Sequence, residues 1–350
     1  PDEGGGWVLT FHSACHKILK YEIANLAYPS NFMVLDEEDQ KTILQRIYTE
    51  NGLTLRNFPF KKCLDAIEVY KSQSDYVPFL TDPKREAPAP DLPCAEDKKS
   101  MHFVILKYLE SQRKNFFLDF ADLIQFVLYL FEKEPAVLEK WANKFEYIQI
   151  DEFQDVSGEQ YKLARRLASK HKNLFIVGDP DQTIYSWRGA DVRYFNEFPE
   201  KFRGAKTILL DTNYRSTPEI LAACNSLISR NTDRLDKRPK AAKSGGERPK
   251  YRHERSRTAE SDFIAEEIGK LHEAGVPLAD IAVLYRGNYM SRAVEEALVR
   301  KKIPYTIYSG IAFYQRKEIK DALAYLRLCV FGDDLSFLLT VDVPPRGKGK

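Results

Sequence analysis

The 350-residue sequence lacks long hydrophobic runs, cysteine clusters and any marked excess of charge. No apolar stretch approaches the roughly 18–20 residues that cross a bilayer, which excludes a membrane protein. The five cysteines are scattered, without a CxxC pair or a partnering histidine, as is typical of reduced thiols in a cytosolic protein rather than of a disulfide or zinc framework. The 53 lysines and arginines balance 51 acidic residues, so the net charge of +2 indicates no particular partner.

What the sequence does have is enough apolar material for real cores. A length of 350 residues with 43% hydrophobic side chains predicts about two domains. A disordered chain is excluded because the combination of low hydrophobicity and high net charge is missing. The sequence begins at Pro1, without a methionine or a signal peptide, and we therefore expect it to be part of a longer protein.

The first 130 residues are mostly helical in their apolar spacing. A short apolar run leads into a helical pattern over 7–21, and the pattern returns over 36–130. Five prolines interrupt it within 74–100, so we expect neither a helix nor a central strand to cross that loop. The segment 116–132 carries apolar residues at helical spacing and is expected to pack into a core.

From residue 145 onward, short apolar runs alternate with helical patterns. This alternation predicts the parallel sheet of an α/β domain, in which ligands bind at the carboxyl ends of the strands. The predicted strands are 146–151, 173–178, 206–211, 280–285 and 304–308, and the predicted helices are 157–170, 217–229, 258–273 and 289–301.

The first of these strands ends in two adjacent acids, Asp151 and Glu152. A nucleotide-binding α/β sheet places its magnesium carboxylate at this position. Asp151 would then hold Mg²⁺, directly or through water, and Glu152 would orient and deprotonate an attacking water molecule. The alternative is a solvated strand end, because acids after strands are common.

The second strand ends in a polar loop, Gly178–Ala190, which brings Tyr185, Trp187 and Arg188 close together in sequence. Two aromatic rings and a guanidinium offer flat faces on which unpaired bases can stack. The alternative is that both rings pack beneath the loop.

The third strand leads into Thr217-Pro218, a helix start with a capping hydroxyl and a proline in the first turn. Arg215 lies on the preceding turn, from which it would reach into a cleft towards a γ-phosphate. The alternative for this arginine is a surface ion pair.

Together these motifs resemble the UvrD/PcrA/Rep family of superfamily 1 DNA helicases. Several motifs in the family's order are far more specific than any one alone, and here they span nearly the whole chain. The matching segments are Thr10–Ser13, Asp151–Asp155, Gly178–Ala190, Asn213–Ser216, Phe313–Asp321 continuing into Ala324–Arg327, and Pro344–Gly347.

The resemblance implies an α/β fold with two RecA-like P-loop NTPase motor domains, both incomplete, and a helical insertion. The implied divisions are 1–20 and 116–205 for the first motor domain, 21–115 for its helical insertion, 206–330 for the second motor domain, and 331–350 for the start of an insertion in that domain.

The resemblance also implies ATP-dependent 3′-to-5′ unwinding of DNA in repair or replication, by a bacterial-type protein of the cytoplasm and nucleoid that uses ATP and Mg²⁺. Asp151 would coordinate Mg²⁺, Glu152 would be the catalytic base, and Gln182 would sense the γ-phosphate. Tyr214 would stack on or near the adenine, and Arg215 would be the arginine finger.

The implied nucleic-acid partners are single-stranded DNA and single/double-strand junctions, with repair or replication proteins as candidate partners and no membrane. The basic region 230–257 holds eleven basic and four acidic residues, and it either lies against DNA phosphates or forms a solvated loop. The residues that the resemblance places at the DNA are Phe11, His12, Ser13, Tyr185, Trp187 and Arg188.

The sequence departs from the family pattern at the phosphate cradle. It has no G-x-x-x-x-G-K-[ST] element, and the nearest candidate, Gly204–Thr207, lacks a glycine directly before its lysine. We therefore expect an internal fragment that also stops before the family's motifs V and VI. Two other functions stay open: a non-enzymatic DNA-binding or interaction module, and the helicase part of a helicase–nuclease.

Overall fold

The computed structural model describes residues 6–73, 75–86, 100–186, 189–231, 234, 237–308, 317–341 and 343–344. The chain forms two compact units: one comprises Pro1–Leu209, Thr232–Asp236 and Ala324–Lys350, and the other comprises Leu210–Asn231 and Lys237–Leu323. Within the described ranges, no helix is both long enough and apolar enough to cross a membrane.

The first unit is built mainly from helices. They are α1 (Phe11–Glu22), α2 (Glu37–Asn51), α3 (Phe60–Gln73), α4 (Val77–Thr81), α5 (Met101–Asn115), α6 (Phe120–Lys133), α7 (Pro135–Lys144), α8 (Gly158–Leu167), α9 (Arg193–Asn196) and α10 (Phe198–Lys201). Its strands form two parallel pairs, namely β1 (Met33–Val34) with β2 (Phe117–Leu118), and β3 (Ile148–Ile150) with β4 (Leu174–Ile176).

The loop predicted over 74–100 contains one short helix, α4, which the sequence did not predict. Pro78 lies in the first turn of this helix, where the missing backbone N–H of proline removes no hydrogen bond. The prolines of this segment therefore do not exclude a single helical turn.

Helix α6 lies at the centre of the larger core and contacts α1, α3, α4, α7 and α8. Asp119 caps its start in a reciprocal capping box with Asp122, and apolar side chains follow at helical spacing. The core helix predicted over 116–132 is confirmed. It begins at Phe120 because Phe117 and Leu118 form a strand instead.

Strands β3 and β4 bring two of the predicted strand ends side by side. Ile148 pairs with Leu174 and Ile150 pairs with Ile176, which confirms parallel strands within 146–151 and 173–178. Helix α8 lies within the predicted helix 157–170 and packs beside them. Because the strands are parallel, the residues that follow them emerge at the same edge of the sheet.

The second unit contains α11 (Pro218–Ile228), α12 (Arg257–Glu273), α13 (Ser291–Arg300) and one parallel strand pair, β5 (Thr212–Asn213) with β6 (Lys240–Ala241). Helices α12 and α13 pack through a small apolar core. All three helices confirm the helical predictions for this region. Two further helices, α14 (Lys317–Phe331) and α15 (Asp334–Thr340), follow along the chain.

Three predicted strands are wrong: 206–211, 280–285 and 304–308 contain no strand. Several of their apolar side chains are exposed, with Ile208 at 77% and Leu284 at 93%, whereas Ile281 and Val283 pack against the core of α12 and α13. A strand needs a ladder of hydrogen bonds to a neighbour as well as suitable side chains. Among the described residues these segments form no strand pair, and 206–211 contributes only the Asp211 carbonyl, which accepts the backbone N–H of Lys240 at 2.7 Å. The fold is thus α/β, with short parallel strand pairs.

Candidate functional site

The two acids that follow β3 are exposed at its carboxyl end. The Asp151 Oδ1 accepts the backbone N–H of Glu152 at 3.0 Å. Glu152 itself has a left-handed backbone with φ of +50°, which is uncommon for a residue other than glycine. This turn leaves the Glu152 side chain in solvent while the next residue, Phe153, is fully buried in the core beside β3.

Gln154 connects this acid pair to the neighbouring strand end. Its side chain is 98% buried, since only 2% of the residue is exposed. The Gln154 Nε2 donates to the Glu152 Oε2 at 2.6 Å, and the Gln154 Oε1 accepts the backbone N–H of Asp179 at 3.0 Å. Gln154 was not predicted to have a role at this site.

The approach of the two strand ends depends on Gly178. A Cβ atom at this position would lie 2.3 Å from the Gln154 Oε1 and 3.0 Å from the backbone nitrogen of Phe153. Atoms other than hydrogen cannot approach so closely, so glycine is the residue that allows this contact.

The loop after β4 is organised by Asp179. Its carboxylate accepts the backbone N–H of Asp181 at 3.0 Å and the Gln182 Nε2 at 2.9 Å. This places Gln182, the predicted γ-phosphate sensor, on the loop that Gln154 joins to Glu152. The turn at Pro180–Gln182 is a short 3₁₀ helix capped by the same aspartate.

An ion pair between Asp181 and Arg234 also stabilises this loop. The Arg234 guanidinium donates to both carboxylate oxygens of Asp181, at 3.2 Å and 2.7 Å. Both side chains are largely buried. This pair was not predicted, because its members are 53 residues apart and belong to no common periodic pattern.

Asp155 is a third carboxylate close to the acid pair in sequence, and it is half-buried. Burial and the nearby Glu152 charge raise its pKa above the usual value of an aspartate. Its Oδ1 is buried and has no hydrogen-bond partner among the described residues. The acidic end of β3 therefore holds three carboxylates, of which Asp151 and Glu152 are the exposed ones.

The predicted DNA-contact residues at the start of α1 differ in exposure. Thr10 caps the helix by accepting the backbone N–H of Ser13 at 3.2 Å, and Ser13 itself is exposed. Phe11 is half-buried and packs against both cores of this unit. His12 makes an edge-on contact with Phe120, with ring centroids 5.8 Å apart, and burial lowers its pKa.

Of the predicted stacking residues, Tyr185 is 39% exposed on the loop after β4. Its exposure disfavours the alternative in which this ring packs beneath the loop. Trp187 and Arg188 lie outside the described residues, as do Phe313–Arg316 and Pro345–Gly347 of the family motifs.

In the second unit, Asn213 shapes the turn that carries Tyr214 and Arg215. The Asn213 Oδ1 accepts the backbone N–H groups of Arg215 and Ser216, at 2.9 Å and 2.7 Å. An asparagine that bonds to the backbone two residues ahead is a common turn former, so this role was readable from the sequence. Tyr214 is 76% exposed, and Arg215 is exposed without an ion-pair partner in the described part of the chain.

The basic region 230–257 is partly anchored to the turn that follows Arg215. The backbone N–H of Gly246 donates to the Glu219 Oε2 at 2.7 Å, and this bond lowers the pKa of Glu219. Glu219 lies in the first turn of α11, next to the cap residue Thr217. Strand β6 also lies within this region, so it is not a loop throughout.

Two family profiles together match almost the whole chain. One, described as the UvrD/REP helicase N-terminal domain, matches residues 4–203. The other, described as the UvrD-like helicase C-terminal domain, matches residues 208–350.

Two staphylococcal proteins, each named ATP-dependent DNA helicase PcrA, are similar over the same range. The one from Staphylococcus epidermidis is 38% identical over 345 residues, which cover 98% of this chain and 46% of the relative. The one from Staphylococcus aureus is 38% identical over 344 residues, with the same two coverages of 98% and 46%. The chain thus spans about half the length of the curated relatives it matches.

Proposed function

The chain belongs to the UvrD/REP helicase family, and from this membership we propose that the protein is an ATP-dependent DNA helicase. It moves 3′ to 5′ along single-stranded DNA and unwinds single/double-strand junctions in repair or replication, within the bacterial cytoplasm and nucleoid. Its architecture is that of two RecA-like motor domains. These are 1–20 with 116–205, interrupted by a helical insertion at 21–115, and 206–330, followed by a second insertion that begins at 331.

One observation supports the proposed nucleotide site. Asp151 and Glu152 follow β3 at the same sheet edge at which β4 leads into the loop that contains Gln182. Nucleotide-binding α/β sheets use this edge for catalysis. Glu152 orients the attacking water molecule and takes its proton. The water oxygen bonds to the γ-phosphorus, while the bond between that phosphorus and the β,γ-bridging oxygen breaks. Gln182 responds to the γ-phosphate. The exposed Arg215 guanidinium stabilises the negative charge that develops on the transferred γ-phosphoryl group.

The donors after β3 fit Mg²⁺. Asp151 offers exposed carboxylate oxygens, which are the hard ligands that this ion prefers. The described residues contain no cluster of three or more acids, histidines or cysteines able to hold a metal alone. A nucleotide site does not need such a cluster, because the nucleotide phosphates and water supply most of the ligands of Mg²⁺. Asp151 would hold the ion, which when bound neutralises phosphate charge, and Tyr214 would contact the adenine.

The single strand lies along Phe11, His12, Ser13, Tyr185, Trp187 and Arg188. Exposed Tyr185 and Ser13 have the accessibility that direct contact with a strand requires. Half-buried Phe11 also packs the helix start against the two cores. Stacking tolerates any base, so binding favours single strands with little preference for sequence.

The test is the ATPase rate of the full-length protein with and without single-stranded DNA. Glu152→Gln keeps the shape of the side chain but removes the base, so hydrolysis should be lost while ATP-analogue affinity stays within about threefold. Arg215→Ala should lower the rate by about 100-fold or more. The matched control is Glu159→Gln, the same chemical change on the first turn of α8, which should hydrolyse ATP like the wild type.

Unwinding of a partial duplex with either a 3′ or a 5′ tail then measures the direction. Wild-type protein that binds single-stranded DNA without any DNA-stimulated ATP turnover would contradict the proposal and favour a DNA-binding module. ATPase rates of the Glu152 and Arg215 variants within about threefold of wild type would remove both residues from the reaction.

A further inference from the structure

We propose that Gln154 is a positioning residue, which fixes the Glu152 carboxylate and joins it to the loop that holds Gln182. This inference rests on the proposed function, because it assigns Glu152 and Gln182 to ATP hydrolysis. Its basis is a continuous series of hydrogen bonds that runs from Glu152 through Gln154 and Asp179 to Gln182.

The hydrogen bond between Gln154 and Glu152 fixes the orientation of the Glu152 carboxylate. Glu152 is exposed, so its carboxylate would otherwise sample several rotamers in solvent. The Gln154 Nε2 lies 2.6 Å from the Glu152 Oε2, a short distance consistent with a charged acceptor. One carboxylate oxygen is thereby held, and the other remains available to a water molecule.

The contact between Gln154 and Asp179 fixes the amide in one orientation. Its oxygen faces a backbone N–H and its nitrogen faces a carboxylate. The opposite orientation would place donor against donor and acceptor against acceptor, so the network defines which end is which. Only a neutral side chain that both donates and accepts can serve the two neighbours together.

Close packing also fixes the position of Gln154. It is almost fully buried, and Gly178 leaves only enough room for a hydrogen atom beside its Oε1. A close-packed buried amide moves little, because any displacement would lose a hydrogen bond or create a clash. Glu152 is therefore held by a rigid support rather than by another mobile surface group.

Asp179 extends this support to the predicted γ-phosphate sensor. Its backbone N–H bonds to Gln154, while its carboxylate accepts the Gln182 Nε2 at 2.9 Å. The base and the sensor thus share one connected set of side chains, although they follow different strands. Gln154 is the member that crosses from one strand end to the other.

The experiment compares Gln154→Met and Gln154→Glu in the full-length protein. Methionine keeps the volume and loses both bonds, whereas glutamate keeps an acceptor for the Asp179 N–H but cannot donate to the Glu152 carboxylate as an anion. We expect both variants to lower kcat by about 10- to 100-fold, the usual cost of losing a partner that orients a reacting group. The KM for ATP and the affinity for a non-hydrolysable ATP analogue should stay within about threefold.

The matched control is Gln160→Met, which removes a glutamine from the capping box of α8. The Gln160 Oε1 accepts the backbone N–H of Ser157 at 2.9 Å, so this variant also loses a local hydrogen bond. Its melting temperature should fall while its kcat stays at the wild-type value. A purely structural role of Gln154 would give its variants the same pattern as this control.

The outcomes separate the inference from the proposed function. Wild-type kcat in both Gln154 variants, alongside active wild-type protein, would overturn the positioning role alone. A parallel loss of kcat and of analogue affinity would also overturn it, because a damaged binding site rather than a misplaced base would be the cause. Wild-type protein without ATP turnover would instead overturn the proposed function.

Discussion

Position 178 shows how a single missing methyl group shapes the site. Alanine there would place its Cβ 2.3 Å from the Gln154 Oε1. We expect Gly178→Ala to lower the free energy of unfolding by about 1–3 kcal/mol, because buried atoms must move to admit the side chain. Urea unfolding of the two proteins measures the loss.

A second glycine provides the control for this substitution. Gly269 lies within α12, and a Cβ there would meet nothing within 4 Å. Gly269→Ala should raise the free energy of unfolding by up to about 1 kcal/mol, because alanine favours a helix interior. Equal effects of the two substitutions would show that Gly178 has no special packing role.

Single residues could be predicted where their type and their position relative to a strand or helix form a recognisable pattern. Asp151 and Glu152 were predicted because acids at the end of an apolar strand have a recognisable pattern, and the structure places them there. Gln154 was not predicted, because its partner Asp179 lies 25 residues away and glutamine follows no periodicity. The catalytic roles of the predicted residues remain predictions.

At the level of elements, the start of α6 is held by a buried cluster of charged and polar groups. The Lys71 Nζ donates to both Asp119 and Asp122, at 2.7 Å and 2.6 Å. The Tyr76 hydroxyl and the Gln112 amide donate to Asp122 at 2.6 Å and 2.7 Å. These bonds join α3, α5 and α6 around two carboxylates that the capping box already requires.

This cluster predicts a pH dependence of stability. Burial and the neighbouring Asp119 charge raise the pKa of Asp122 to about 6, whereas an unfolded aspartate titrates near pH 4. Between these two values folding takes up a proton, so the contribution of Asp122 to the free energy of unfolding falls as the pH rises. It is lost as the pH rises through about 6. Asp119 acts in the opposite sense at lower pH, because the Lys71 charge holds the pKa of Asp119 below its usual value.

Urea unfolding of wild type and Asp122→Asn at several values between pH 4 and pH 7 measures this contribution. The stability of wild type relative to the variant should decrease with rising pH. Asp65→Asn, at an exposed position on α3, should instead follow the wild type in parallel. A constant difference between wild type and Asp122→Asn would show that Asp122 is already ionised at pH 4.

Helices were predicted better than strands for a physical reason. The helices at 217–229 and 258–273 satisfy their backbone groups within one segment, so local spacing is sufficient to identify them. A strand also needs a ladder of hydrogen bonds to a neighbour, and in the described structure the segments 206–211 and 280–285 belong to no strand pair. Strands within 146–151 and 173–178 were right because each provides the other's partner.

For the molecule as a whole, the 350 residues contain the proposed base and the proposed γ-phosphate sensor but no Walker A element. We expect these residues alone, when purified, to show no DNA-stimulated ATP hydrolysis above background. The reason is that no backbone cradle holds the β- and γ-phosphates. The same residues within the full-length protein are the control, and turnover by the 350 residues alone would contradict the assignment of the site.

The exposed apolar segments that do not form strands also affect how the purified chain would behave. Ile208 and Leu210 are 77% and 83% exposed, and Leu284 is 93% exposed, in segments rich in strand-forming side chains. Unpaired segments of this kind can form intermolecular sheets with identical copies. Solubility of the isolated 350 residues would therefore be limited by self-association, with light scattering that increases with protein concentration, and charged substitutions at Ile208 or Leu284 would reduce it.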